Sequence, residues 1–443
     1  MSNRLDDVKN KYISLFNDFK NRLNGEKFGT IHEVRQNALK AFAEVGFPTL
    51  RMEDWRFTDI SPILSHDFIL PELDRESSIK KSEISKFLCG IPHATLLVFI
   101  NGFFVESLSS IVPEGSGSIR KEIMNGNPDI ISHFAKYAVP TSNAFTALNA
   151  AFSYDGALIK IPDGTRIEPV HLLFITVPES NQIVSHPHNI VIAGRNSEVT
   201  VIEHYAALRN GRYFTNSVTE IVANENSFVN HIRLQFESED AYHIGSTYVS
   251  LSKSSNYSSH AVNIGAEISR HDLNVVLGEE NANANLQGLY LLANKQLSDT
   301  HTFIDHSSPH CTSQEHYKGI LDDNSHGVFN GKILVRKGAQ QTSSYQENRN
   351  IILSSGAKVD TKPQLEIFAD DVKCSHGATV GQLSADSIFY MRSRGISEET
   401  AKLILIQTFV NDILANIKTK GVRKYLEQFV SKRFSHRNRT IQN

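Results

Sequence analysis

The spacing of apolar positions changes character twice along the chain. Near the start, Val8, Tyr12, Leu15, Phe16 and Phe19 recur at helical spacing and define one buried face. A second helix is predicted from a cap at Thr30; it carries Val34, Ala38, Leu39, Phe42 and Ala43 and stops at Gly46, with Pro48 beyond. The stretch from Ala94 to Phe104 is rich in β-branched and aromatic residues and turns at Asn101-Gly102, which predicts a hairpin.

From about Tyr154 the helix formers thin out. Short apolar segments such as Val199-Thr200-Val201 and Leu289-Tyr290-Leu291-Leu292 lie between small polar clusters. The clusters begin at Pro162-Asp163-Gly164, Pro178-Glu179-Ser180, Arg195-Asn196, Asn210-Gly211 and Asn224-Glu225-Asn226. They continue through Glu239-Asp240, Ser255-Asn256, Ser269-Arg270, Glu280-Asn281, Asn294-Lys295, Ser308-Pro309 and Asp323-Asn324. Lys337-Gly338, Ser355-Gly356 and Asp370-Asp371 close the series. An interval of roughly 15 residues held this long is the mark of a repeat architecture, whereas a sandwich turns about every 8 to 12 residues. Two turns per roughly 30 residues describe a flattened coil in which each circuit adds one strand to each of two stacked sheets, a β-helix.

At Ala385 the pattern reverts to helix. Ser384 opens a short one that ends before Gly395, and Ser397 caps a longer one with Glu398 and Glu399 in its first turn. Its apolar positions, Leu403, Ile404, Ile406, Phe409, Val410, Ile413, Leu414 and Ile417, are too widely spread for one neighbour, so part of this face is expected to meet a partner. After Gly421, Val422, Tyr425, Leu426, Phe429 and Val430 form a narrower stripe. The expected division is a mostly helical region with a hairpin at 1–153, a β-helix core at 154–383 and a helical region at 384–443.

Composition narrows the function classes. The chain has 443 residues, of which 40% are apolar and 21% charged, as in a globular protein. Forty-five Lys and Arg against 48 Asp and Glu leave a net charge of -3, which argues against affinity built on nucleic-acid phosphates. The basic tail (Lys418, Lys420, Arg423, Lys424, Lys432, Arg433, Arg437 and Arg439 against Glu427) lacks interleaved stacking aromatics and reads as a solvated helix face. The most apolar run, Ala94 to Ile100, is too short to cross a bilayer, and the start has no signal-peptide character. With only three cysteines, a cytoplasmic protein without a disulfide framework is expected.

The candidate chemistry is sparse. Gly327-Val328-Phe329-Asn330-Gly331-Lys332-Ile333 misses the phosphate-loop spacing and has Ile where Ser or Thr must bind magnesium, so any ATP hydrolysis belongs to another subunit. Histidines are frequent, 19 in all: His186 and His188 share one side of an extended segment, and His301, His306, His310, Cys311 and His316 crowd another. Where the β region gives way to helices, Cys374 and His376 are two residues apart, so on a strand they share a face and suit one soft metal ion or a sulfur species. Asp370, Asp371 and His376 also admit an alternative, a β-helical carbohydrate-active enzyme, which would need two carboxyl groups flanking a sugar cleft.

The stretch Ala369 to Thr379 (ADDVKCSHGAT), followed by Ile388-Phe389-Tyr390-Met391-Arg392-Ser393-Arg394-Gly395-Ile396, closely resembles the SufB/SufD family of iron–sulfur cluster assembly proteins. Glu53-Asp54-Trp55-Arg56-Phe57-Thr58 resembles the Trp-centred segment of its SufD branch. Met391 stands where SufB-like chains carry a scaffold cysteine, and Cys374-Ser375-His376 replaces their Glu-His-Glu, so both differences favour SufD. The resemblance implies a right-handed parallel β-helix flanked by helical regions, and a non-catalytic scaffold role. It also implies pairing with a SufB-like paralogue, with a homodimer open to the isolated chain, and docking of a SufC-like ATPase on the C-terminal helices; Arg392, Arg394, Gly395, Leu403, Ile406 and Phe409 are the expected partner-binding residues. His376 and Cys374 become candidate ligands of a transient iron–sulfur cluster shared with that paralogue, with no cofactor held tightly by the chain alone.

Overall fold

The computed structural model describes residues 2–23, 29–72, 79–110, 115–178 and 182–440, and its centre is a β-solenoid. Consecutive strands from Glu198–Ala207 to Val372–Gly381 fall alternately in two ten-stranded sheets, and every neighbour pair among them is parallel. One circuit therefore lays a strand on each sheet. Ser344 pairs with Cys374, 30 positions on, and Val229 with Tyr257, 28 positions on, about twice the interval between polar clusters.

The turns follow the expected chemistry. Asn196, Asn226, Asn281, Asn294 and Asp323 sit in turns with φ between 54° and 60°, a left-handed conformation that Asn and Asp tolerate best after Gly. Two clusters were displaced. Ser269 and Arg270 lie inside the strand Ile268–Leu277, and the turn is at Gly265-Ala266 instead; Gly265 has φ 87°, and a Cβ there would stand 2.1 Å from the Glu237 carbonyl oxygen. Likewise Asn256 begins the strand Asn256–Ile264, and the bend is at Lys253-Ser254. Glu179-Ser180 lies outside the described residues.

Inside the coil, one side is apolar, with Val199, Val201, Val229, Val249, Leu273, Val275, Leu286, Ile304 and Phe329 in a single cluster. The other side is a hydrogen-bonded polar chain. Glu203 accepts from Tyr205 Oη (2.5 Å) and Thr219 Oγ1 (2.9 Å) and pairs with His231 (3.0 Å). Glu237 pairs with His243 Nδ1 at 2.7 Å, and His243 Nε2 accepts from Arg233 at 2.6 Å. Such buried polar groups are stable only when partnered.

Helices cover both outer faces. The N-terminal helices Ser2–Arg22 and Thr30–Val45 pack with Ala144–Phe152 in an aromatic cluster (Tyr12, Phe16, Phe19, Phe42, Phe47, Trp55, Phe145, Phe152) that rests on Phe214, Tyr242 and Ile244 of one sheet. Gly29, not Thr30, is the N-cap of the second helix, with no side-chain cap bond. On the other sheet, Glu398–Leu414 and Lys420–Thr440 bury Ile406, Val410, Ile413, Ile417, Val422, Leu426 and Val430 against Ile202, Ile232, Leu234, Val262, Leu289 and Leu291. Each fully buried aliphatic chain contributes about 1.5–3 kcal/mol, so this pair is firmly seated. Ser384 and Ser397 accept from the backbone N–H three residues on, capping the two helices expected there.

The two ends of the coil differ. At the first, the hairpin forms as expected (Ile100 opposite Phe103), but Thr95–Ile100 also pairs in parallel with Val170–Thr176 and is thus the opening strand of the sheet. Short antiparallel strands, Phe103–Phe104 and Gly117–Ser118, close that end. At the other end, Lys358–Ile367 and Val372–Gly381 are the terminal strands of their sheets.

Candidate functional site at the open end of the coil

The last circuit places the residues of interest. In Thr342–Ile352 the buried positions Thr342, Ser344, Gln346 and Asn348 alternate with the exposed Ser343, Tyr345 and Arg349. Ser344 is paired with Cys374 and Gln346 with His376, so both candidates point into the coil and Ser375 points out. Across the mouth, Thr361, Pro363 and Leu365 continue the inward column of Phe329, Gly331 and Ile333. Leu365, Val372 and Cys374 are partly buried against the inner core, whereas His376 is exposed. Pro363, which lacks an N–H, is at home on a terminal strand. The mouth is therefore an unstacked rung with a thiol and an imidazole on its inner face.

Behind His376, one rung deeper, Gln346 Nε2 donates to Glu315 Oε2 at 2.5 Å. Burial pushes the Glu315 carboxyl up to about 7, and its hydrogen bonds with Gln346 and Thr302 offset only part of that. Burial also raises the Cys374 thiol, against a lowering backbone hydrogen bond with Ser344. The thiol thus keeps its proton until a metal or an electrophilic sulfur displaces it. Two ligands of this kind fill half of a tetrahedral site.

Asp370 and Asp371 are exposed neighbours in the turn before the last strand. Both belong to one turn, whereas glycoside hydrolysis needs two carboxyl groups on either side of the bond. Beyond the mouth, the helix Ala385–Ser393 buries none of its residues; Phe389 is 75% and Tyr390 60% exposed. Arg392 within it and Arg394 and Gly395 just beyond are also exposed, with Arg392 held 3.2 Å from Glu398. Ile406 is a correction: it is buried against the solenoid, and Leu403 and Phe409 pack partly on the same cluster. Lys318 explains their orientation, since its ammonium lies over the Phe409 ring and bonds the Phe409 carbonyl and Asp412.

The other histidine groups do not converge. His188 is engaged at both ring nitrogens, by Asn149 (2.7 Å) and Glu220 (2.8 Å), and His186 stacks on Phe152. His301 pairs with Asp299, His306 with Ser313, and the Cys311 thiol bonds the Glu279 carbonyl. The structure instead gathers Cys89, His171 and His204, which sequence spacing did not suggest because 115 positions separate Cys89 from His204. The signal available was only that all three are residue types that bind metals.

Comparison with known proteins accords with this geometry. Residues 175–409 match the family model described as SUF system FeS cluster assembly, SufBD core domain, and residues 6–172 match that of the SufBD protein N-terminal region. An iron–sulfur cluster assembly SufBD family protein of Synechocystis is 36% identical over 421 residues, 92% of each chain. The iron–sulfur cluster assembly protein SufD of Escherichia coli is 31% identical over 396 residues, 88% of this chain and 90% of that one. Protein ABCI7, chloroplastic, of Arabidopsis thaliana is 30% identical over 409 residues, 89% of this chain and 84% of that one. A solenoid of this register, the thiol and imidazole at its mouth and matches over both of its regions lead to one conclusion: the chain belongs to the SufB/SufD family of iron–sulfur cluster assembly proteins.

Proposed function

We propose that this chain is the SufD-like, non-catalytic scaffold subunit of a SUF assembly complex. Its open coil end stacks on a SufB-like paralogue, and the nascent iron–sulfur cluster is built in the seam. The observation that carries this reading is that Cys374 and His376 face inward on a terminal strand whose outer edge has no strand partner among the described residues. A second solenoid end would continue both sheets and supply the missing donors. Thiolate suits iron–sulfur clusters and imidazole suits iron, so a shared, transient ligand set follows from the donor types. Iron and sulfur are cargo in this scheme. No cofactor is held tightly by the chain alone, and a homodimer is its state when the paralogue is missing.

The exposed helix Ala385–Ser393 leads directly out of the terminal strand and carries Phe389, Tyr390 and Arg392, with Arg394 and Gly395 just beyond it. In this proposal that segment receives a SufC-like ATPase, so nucleotide-driven movement reaches the seam through a single connection. Anaerobic co-purification with SufB- and SufC-like partners, followed by iron and sulfide analysis, tests the assignment. Wild-type complex should gain cluster absorbance and His376→Ala complex should not. A chain that binds neither partner, or a His376→Ala complex with full cluster content, overturns it.

A further inference from the structure

The second cluster of donors lies on the outer face of the solenoid, away from the mouth. His171 on Val170–Thr176 and His204 on Glu198–Ala207 sit on adjacent strands, where His171 is opposite Ile202 and Leu173 opposite His204. Their rings are parallel within 7° and 5.6 Å apart. Cys89 comes from the segment that crosses over them, and its Sγ is 3.9 Å from His204 Nδ1. All three are buried, at 5%, 2% and 0% exposure for Cys89, His171 and His204. One donor atom from each lies within 4.8 Å of the others.

This arrangement is costly as it stands. The Nε2 atoms of His171 and His204 are both buried without a hydrogen-bond partner among the described residues. A buried polar atom without a partner is destabilising, and two on adjacent strands need a reason. Donors around a tetrahedral ion with 2.0–2.3 Å bonds stand about 3.3–3.8 Å apart, so a side-chain adjustment of roughly an ångström closes the triad. The surroundings are tight and aromatic: Phe87, Phe236 and Tyr425 ring His204 at centroid distances of 6.0, 5.8 and 6.0 Å.

We propose that Cys89, His171 and His204 form a binding site for one borderline divalent transition-metal ion of the zinc or ferrous class, distinct from the cluster-assembly mouth. Its two imidazoles and one thiolate are the donor set such ions take. On binding, the Cys89 S–H proton passes to solvent, a sulfur–metal bond forms and no electron is transferred. The site joins three parts of the chain. Cys89 belongs to the N-terminal region and the histidines to the solenoid. Gly421, at the start of the last helix, packs so closely that a Cβ there would stand 2.6 Å from the Cys89 carbonyl oxygen. A bound ion therefore pins the base of the helix Lys420–Thr440 to the sheet.

The test is a Co2+ titration of the full-length chain, stripped with chelator under anaerobic conditions. One equivalent should bind with a thiolate-to-cobalt charge-transfer band, and Zn2+ should displace it. Cys89→Ser should abolish the band. His171→Gln, judged folded by circular dichroism, should weaken binding by more than the roughly 10–100-fold loss seen when only an outer-shell partner is removed. The double variant Cys374→Ser/His376→Ala should retain the band. The proposal is overturned if wild-type protein gives no thiolate band, if the band survives in Cys89→Ser, if His171→Gln binds as wild type does, or if the mouth variant loses it. Should Cys89→Ser fail to fold, the His171→Gln and mouth variants decide the matter by the same readings.

Discussion

The guanidinium carbon of Arg270 lies 3.9 Å from the centre of the Trp55 ring. The same Arg270 donates to the Asp54 carbonyl (2.6 Å), to Asp272 (2.8 Å) and to Asp299 (2.8 Å), and Asp299 also accepts from the Thr58 hydroxyl at 2.5 Å. The motif Glu53 to Thr58 is thus the clamp by which the N-terminal region grips the solenoid. Burial alone would raise the Asp299 carboxyl, but the charges of His301 and Arg270 carry it down to about 2.

Replacing Arg270 with Ala leaves that carboxylate buried with only His301 to pair its charge. Breaking one partner of a buried pair costs about 3–5 kcal/mol, so Arg270→Ala should lower the urea midpoint sharply. Asp299→Asn in the same background should restore part of the loss, because the stranded charge is gone.

The mouth predicts a different pattern. His376 is exposed, so His376→Ala should leave the melting temperature unchanged while the reconstituted complex loses iron retention. Cys374→Ser, at a position partly packed on the core, should show a small loss of stability and an intermediate loss of cluster content. Thermal melts and iron assays on the same preparations separate the two effects.

Stability should also depend on pH through Glu315. Its carboxyl titrates near 7 in the fold, against an ordinary value of 4.5. A group whose pKa is raised on folding favours the native state below the unfolded value, and that contribution disappears as pH rises through the folded one. The window therefore runs from about 4.5 to about 7, and its full span is about 3 kcal/mol. Glu315→Gln should flatten this part of the curve in denaturant titrations at a series of pH values.

Val380 is 47% exposed on the terminal strand, and its inward column continues Asn350. A charge there has solvent around it in the free chain and none once a second solenoid stacks on it. Val380→Lys should leave the isolated chain folded but prevent pairing, which size-exclusion chromatography with light scattering will read as a monomer.

Much of this was legible in the sequence, for local reasons. Turns every half circuit are made by residues such as Asn196 and Asn294, whose chemistry announces itself one site at a time. Ser269-Arg270 has the polarity of a turn but lies in a strand, where Arg270 is polar to meet buried carboxylates. The interior network has no such signal: Glu203, His231 and His243 are polar residues that the fold places inside. Ile406 reads as a partner contact and is buried in the fold, because an apolar face does not say whether its cover is this chain or another. The Cys89 group depends wholly on tertiary contact, for which spacing carries no information.

The unequal ends of the solenoid set the size of what it can build. Growth by stacking needs two open rungs per molecule, and here short antiparallel strands and a hairpin already occupy one of them. In the proposed pairing, addition would therefore stop after a single event, and a repeat that could otherwise lengthen into a fibre would yield a finite pair with one internal joint.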